Sequence, residues 1–232
     1  MLRKQIERRQ ALKAISGAGL GIAFGCGSDT GASPSSSTST ANTTASANGT
    51  CAVTPSETTG PFPSLQDFFR SDIRETKTGT VLTLTLKVVN VNAGCAAVPN
   101  ANVEIWHVDA AGNYSQYGTQ SAQTYLRGIQ TTNAAGQVVF TTIYPGWYQG
   151  RATHIHAEVT IGNRSVKVTQ IAFPESVNNT VHGSGVYASR GNNPMSNLAD
   201  GIFADSLAAE IVTPSGSPAS GYTATFQIGI SA

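Results

Sequence analysis

Apolar and polar residues alternate cleanly over residues 81–91. Leu82, Leu84, Leu86 and Val88 share one parity; Thr83, Thr85 and Lys87 share the other. Successive side chains of a strand point to opposite faces, so this is a strand with one buried and one wet face. Residues 154–161 alternate as well. Ile155, Ala157, Val159 and Ile161 form an apolar row, and His154, His156, Glu158 and Thr160 a polar one. Residues 222–230 put Tyr222, Ala224, Phe226, Ile228 and Ile230 in a further row. Residues 103–108, 138–143 and 165–171 add three more predicted strands. Turn residues separate them, including Asn92-Ala93-Gly94, Ala110-Ala111-Gly112-Asn113 and a tight hairpin at Asn163-Arg164. No long stretch keeps a 3.6-residue period, and residues 197–210 have room for one or two short helical turns. The pattern predicts an all-β fold, an antiparallel β-sandwich with long loops and few short helices.

The pattern is absent before residue 51. Residues 1–25 hold Arg8-Arg9 followed by a Gly/Ala-rich, modestly apolar run, which resembles a twin-arginine export signal and is too short and weak for a membrane-spanning helix. Cys26 follows that run as either a lipid-acceptor cysteine or a residue near a simple cleavage site. Residues 26–50 are almost entirely Ser, Thr, Ala, Asn and Gly, too poor in apolar side chains to offset the entropy of ordering, and are expected to be a flexible tether. The remaining residues, 51–232, are expected to form one domain. The protein is thus expected outside the cytoplasm, periplasmic or anchored as a lipoprotein.

Charge narrows the partners. The chain is +1 overall, but its first 25 residues hold five of the 14 basic residues and one of the 13 acidic ones, leaving net −3 beyond them. No basic patch points to nucleic acid. Of three cysteines, Cys51 and Cys95 remain if Cys26 is lipidated or removed, and a disulfide between them is expected in an exported chain.

The chemistry concentrates in YPGWYQGRATHIH, residues 144–156. Side chains two apart on a strand share a face, so His154 and His156 can aim both imidazoles at one point. Two surface histidines are the plain alternative. Tyr148 and Arg151 precede the pair on a glycine-rich turn.

PGWYQGRATHIH resembles the iron-binding segment of the intradiol ring-cleavage dioxygenases, the protocatechuate and catechol dioxygenase family. TPSETTGPFP (54–63), ANVEIWHVDAAGNYSQY (101–117), YLRGIQTTNAAGQVVFTTIYPGWY (125–148) and VTQIAFP (168–174) resemble further family segments in the same order. The resemblance implies a β-sandwich and a ferric ion held by Tyr114, Tyr148, His154 and His156. Phenolates are hard anionic donors that favour Fe(III). It also implies catalytic roles for Tyr148, which takes a substrate proton, and for Arg151 and Gln170 beside the ring. The implied substrates are a catechol and O2, and the products muconic acids. Tyr117 is the rival to Tyr114, which follows the Asp-Ala-Ala-Gly-Asn turn as the family tyrosine does. Family members assemble as homo-oligomers or with a second subunit, so a homo-oligomer is compatible. His107 reads as structural, His182 as a loop residue without a visible partner, Trp147 as a pocket wall or a cap, and Tyr125, Tyr144 and Tyr187 as packing. Two other functions compete: a non-catalytic sandwich that binds aromatic or carbohydrate ligands, and a zinc hydrolase on His154 and His156 with Glu158 as the third ligand.

Overall fold

The alternating rows become the inner faces of two sheets. A computed structural model describes residues 51–232; the expected export segment, the tether and Cys26 lie outside the described residues. The strands are β1 (Val81–Asn90), β2 (Ala96–Ala97), β3 (Asn102–Trp106), β4 (Arg127–Thr131), β5 (Gln137–Ile143), β6 (His154–Ile161), β7 (Arg164–Ala172), β8 (Ser215–Ser217) and β9 (Gly221–Ile230). Two short α-helices, α1 (Glu175–His182) and α2 (Leu207–Glu210), lie between β7 and β8.

One sheet runs β4-β3-β6-β7, all antiparallel. In the other, β1 pairs with β5 and β2 on one side and with β9 on the other, and β8 closes the far edge of β9. The architecture is the expected all-β sandwich, with one refinement: β1 and β9 pair in parallel, so this sheet is mixed. Leu82, Leu84, Leu86 and Val88 of β1 meet Val103, Ile105, Ile155, Ala157, Val159 and Ile171 of the opposite sheet in one continuous core. Each fully buried aliphatic side chain contributes about 2 kcal/mol through removal of apolar surface from water.

The β6–β7 hairpin turns at Gly162 and Asn163, both with positive φ (53° and 63°), the backbone a two-residue turn between right-twisted strands requires. Helix α1 was not expected from the sequence. It carries His182 into the interior, where Nε2 lies 3.2 Å from the Pro145 carbonyl oxygen. His182 is therefore a buried helix C-terminal residue with a backbone partner, because Pro174 starts a helix that a Gly/Ser/Asn-rich composition conceals.

Cys51 and Cys95 form the expected disulfide, with Cα atoms 5.8 Å apart and a sequence separation of 44. It ties the entry to the sandwich to the turn after β1. Closing a loop of that length restricts the unfolded chain by about 4 kcal/mol on the chain-entropy account. A Cys51→Ala/Cys95→Ala double variant should show a urea midpoint shifted down accordingly, and the wild-type protein should shift the same way under reductant.

Candidate metal centre

Ile155 and Ala157 face the core, so strand parity sends His154 and His156 to the outer face of the β4-β3-β6-β7 sheet. Cross-strand register then builds a row on that face. Arg127 pairs with Trp106, Trp106 with His156, and His156 with Gln170. All four side chains are buried, because a loop lies over them. The loop crosses the row strand by strand. The Thr58 carbonyl accepts from Gln170 Nε2 at 2.9 Å, Gly60 sits on the His156 ring, and the Phe62 carbonyl accepts from Arg127 Nη1 at 3.0 Å. A Cβ at Gly60 would lie 3.2 Å from His156 Cε1, and its φ of 67° is strained for other residues, so glycine lets the backbone approach the imidazole.

Two nitrogens and a phenol converge beneath this loop. His154 Nε2 is 3.1 Å from His156 Nε2 and 3.5 Å from Tyr114 Oη. His154 Nδ1 lies 2.6 Å from the Ala152 carbonyl. A carbonyl only accepts, so Nδ1 carries the proton and Nε2 offers its lone pair to the centre. His156 stacks flat on Trp106, with centroids 4.8 Å apart and planes 3° from parallel. Its Nδ1 is buried without a partner among the described residues.

Tyr114 reaches the centre from the loop after β3. Asp109 shapes that loop by accepting from the backbone N–H of Ala111 (3.1 Å) and Asn113 (2.9 Å), and Lys77 holds the other carboxylate oxygen at 2.8 Å. Tyr117 is turned elsewhere, its hydroxyl donating to the Pro63 carbonyl at 2.7 Å. Tyr148 is half-buried with its ring 5.9 Å from that of Tyr114. Phe62 stacks on Tyr114 at 4.9 Å and meets Tyr117 and Tyr148 edge-on. These four rings, with residues 112, 113 and 118–120, wall an open cavity of about 160 Å³. An apolar cavity of about 150 Å³ holds a benzene ring, so one six-membered ring is the right size. A larger cleft of about 410 Å³ along Thr80, Tyr187 and Pro218 is lined by none of the residues that converge here.

Arg151 and Gln170 bond to each other, Nη2 to Oε1 at 2.6 Å. Arg151 Nε also donates to Asp200 at 2.8 Å, an ion pair the strand pattern did not reveal. Trp147 is a cap, not a cavity wall: its indole donates to the Gly191 carbonyl, and the Arg190 guanidinium lies 3.6 Å above its ring. The hydroxyls of Tyr144 and Tyr187 are tied up inside the protein, and Tyr125 is buried under the Lys77 ammonium. Glu158 is one row outward, opposite Glu104, whose carboxyl is pushed up to about 7 by burial, partly offset by a Ser64 hydrogen bond and reinforced by Glu158. Among the described residues no three His, Cys, Asp or Glu side chains cluster as a metal site. The donor set that does converge is nitrogen and phenol oxygen.

Electrostatics suits that set. Burial, then the Arg151 charge, takes His154 down to about 4, and burial with His154 and Arg151 holds His156 well below its ordinary range. Both imidazoles are neutral and able to coordinate at neutral pH. Burial pushes the Tyr114 phenol well above its ordinary value. It therefore stays protonated until a cation is bound, which favours the phenolate. The residues thus fit a hard trivalent ion: two imidazole Nε2 atoms 3.1 Å apart that can exchange their mutual hydrogen bond for a shared cation, and a phenol that becomes an anionic oxygen donor when the cation binds.

His107 confirms its structural character. It is buried between the Val108 carbonyl (2.8 Å) and Thr142 Oγ1 (2.7 Å), and burial takes it down to about 4. The unfolded chain then binds the proton first. Stability contributed by this group is complete above about pH 6.5 and is lost as pH falls towards 4, up to about 3 kcal/mol. Urea unfolding at pH 7 and pH 4.5 should show that slope, and His107→Gln should remove this residue's share of it.

The β-sandwich brings a histidine pair and a tyrosine together on one sheet face, and that tyrosine also walls a cavity of aromatic rings. Residues 57–188 match the profile of the dioxygenase family, and the chain belongs to the intradiol ring-cleavage dioxygenases. It is similar to an intradiol ring-cleavage dioxygenase from Tetranychus urticae (29% identity, TM-score 0.70, covering 78% of this chain and 95% of that one). It is also similar to the dioxygenase domain of a dioxygenase carbohydrate-binding protein fusion from Streptomyces sp. SirexAA-E (26%, TM-score 0.59, 78% and 99%). A 3-chlorocatechol 1,2-dioxygenase from Rhodococcus opacus 1CP shares the fold (17%, TM-score 0.56, 76% and 72%).

Proposed function

We propose that this protein is a non-haem Fe(III) dioxygenase that cleaves catechols between the two hydroxylated carbons. The convergence of Tyr114 Oη and His156 Nε2 on His154 Nε2, at 3.5 and 3.1 Å, with Tyr114 also walling a one-ring cavity, carries this reading. Catechol and O2 are consumed one to one, one ring C–C bond breaks, and both oxygen atoms end in a dicarboxylic, cis,cis-muconic product. Iron held by Tyr114, Tyr148, His154 and His156 would supply a Lewis acid that draws electrons from the bound catecholate and opens it to dioxygen.

The protein's own groups do the rest. Phe62, Tyr114, Tyr117 and Tyr148 stack around the ring and keep water from its faces. Tyr148, at the cavity and only half-buried, takes a proton from the entering catechol at its phenolate oxygen. The Arg151 guanidinium, held by Asp200 and Gln170, balances negative charge that builds on the ring. Gln170 is locked by Arg151 and Thr58, so its amide is pre-oriented beside His156.

The enzyme works outside the cytoplasm, anchored through Cys26 or released by cleavage. The twin-arginine-type segment supports this, as does the Cys51–Cys95 disulfide, a bond typical of oxidising compartments. Iron content, a visible tyrosinate-to-Fe(III) absorption and oxygen uptake with catechol test the activity together. A protein that stays colourless and takes up no oxygen after iron loading would sink the proposal.

A further inference from the structure

We propose that Asp200 is the positioning residue of this centre, setting the tautomer of His154 through Ala152 and the placement of Gln170 through Arg151. The inference rests on the ferric-site reading above, and Asp200 lies beyond residue 188, where the family match ends.

One carboxylate oxygen of Asp200 accepts two hydrogen bonds, from Ala152 N–H at 2.7 Å and Arg151 Nε at 2.8 Å. The other oxygen accepts from Ile202 N–H at 2.9 Å. The side chain is 2% exposed, so these bonds form away from water. Burial pushes the carboxyl up, but the N–H groups of Ile202 and Ala152 and the Arg151 charge outweigh it and hold it below its ordinary value.

Two chains of contacts leave this carboxylate. Ala152, gripped at its N–H, presents its carbonyl to His154 Nδ1 at 2.6 Å. A ligating histidine needs its second nitrogen held by a fixed acceptor, which selects the tautomer and raises the basicity of the donor nitrogen. Arg151, gripped at Nε, presents Nη2 to Gln170, which the register places opposite His156. Asn193 steadies the same turn by donating to the Arg151 carbonyl at 2.9 Å. Asparagine at position 200 would offer one acceptor oxygen for three N–H donors and no charge for Arg151, so an amide of the same size does not replace the carboxylate.

The test compares wild type, Asp200→Ala, Asp200→Asn and Arg151→Met, each checked for cooperative thermal melting. Long-range proton–nitrogen NMR of the iron-free proteins reads the His154 tautomer. Iron affinity is read by titration with ferrous sulfate in air, and kcat and KM with catechol. Both Asp200 variants should populate the Nε2–H tautomer of His154, bind iron at least tenfold more weakly and lose at least tenfold in kcat at little-changed KM. Arg151→Met should keep the wild-type tautomer and iron affinity while losing kcat. If Asp200→Ala fails to fold, Asp200→Asn decides. An Asp200→Asn protein with wild-type tautomer and iron affinity overturns the proposal. A wild-type protein that binds no iron overturns the ferric site instead, and the tautomer spectra still judge Asp200.

Discussion

Replacing His154 or His156 with alanine is expected to strip iron from the protein and to lower catechol cleavage at least ~1000-fold, about 4 kcal/mol of transition-state stabilisation. The two imidazoles are half of the proposed donor set, and nothing nearby can stand in. The carboxylate on the same parity, Glu158, belongs to the next row, opposite Glu104. Tyr117 is committed to the Pro63 carbonyl. Stability should respond differently at the two positions. His156→Ala empties the space against Trp106 and costs packing, yet it also removes a buried imidazole nitrogen without a partner. The iron-free variants should therefore stay folded, which separates loss of metal from loss of structure. Metal analysis and an oxygen electrode read the result, and an alanine variant with full iron and full turnover would refute the proposed ligands.

Arg127→Met is the second large effect, and it falls on stability first. Arg127 is fully buried and donates to Ser115 Oγ (2.9 Å), the Ser115 carbonyl (2.8 Å), the Phe62 carbonyl (3.0 Å) and Ser64 Oγ (3.3 Å). Removing a buried charge can be neutral or stabilising when its partners leave with it. Here the partners stay, and two of them are backbone carbonyls that methionine cannot satisfy. The expected loss is about 3 kcal/mol, from buried acceptors left bare. Denaturant unfolding measures it. Activity should follow through KM, because Arg127 fixes Phe62, which stacks on Tyr114 and walls the cavity. A variant as stable as wild type would show that the 62–64 loop is held by other contacts.

Several features were legible in the chain because they are local. The rows Leu82-Leu84-Leu86-Val88 and Ile155-Ala157-Val159 pointed to the core, and their parity alone sent His154 and His156 to one outer face. Asn163-Arg164 marked the hairpin, which turns one residue earlier at Gly162-Asn163, and Asp109 to Asn113 marked the turn that delivers Tyr114. Strand β4 and helix α1 were missed, since Arg127–Thr131 lacks a long alternation and α1 is only eight residues. Phe62 stood in a recognised segment, yet nothing in its neighbours said that it would cover Tyr114.

By itself, then, the sequence determined which faces are buried, where the chain turns, and that two imidazoles share a side. Tertiary structure decided the rest. Register between strands aligned Arg127, Trp106, His156 and Gln170 in one row, and the loop carrying Thr58, Gly60 and Phe62 sealed it. The parallel pairing of β1 with β9 and the reach of Asp200 to Arg151 join residues far apart in sequence. The physical reason is range. Periodicity reports the environment of each side chain, whereas register and loop contacts arise only when distant segments compete for the same partners.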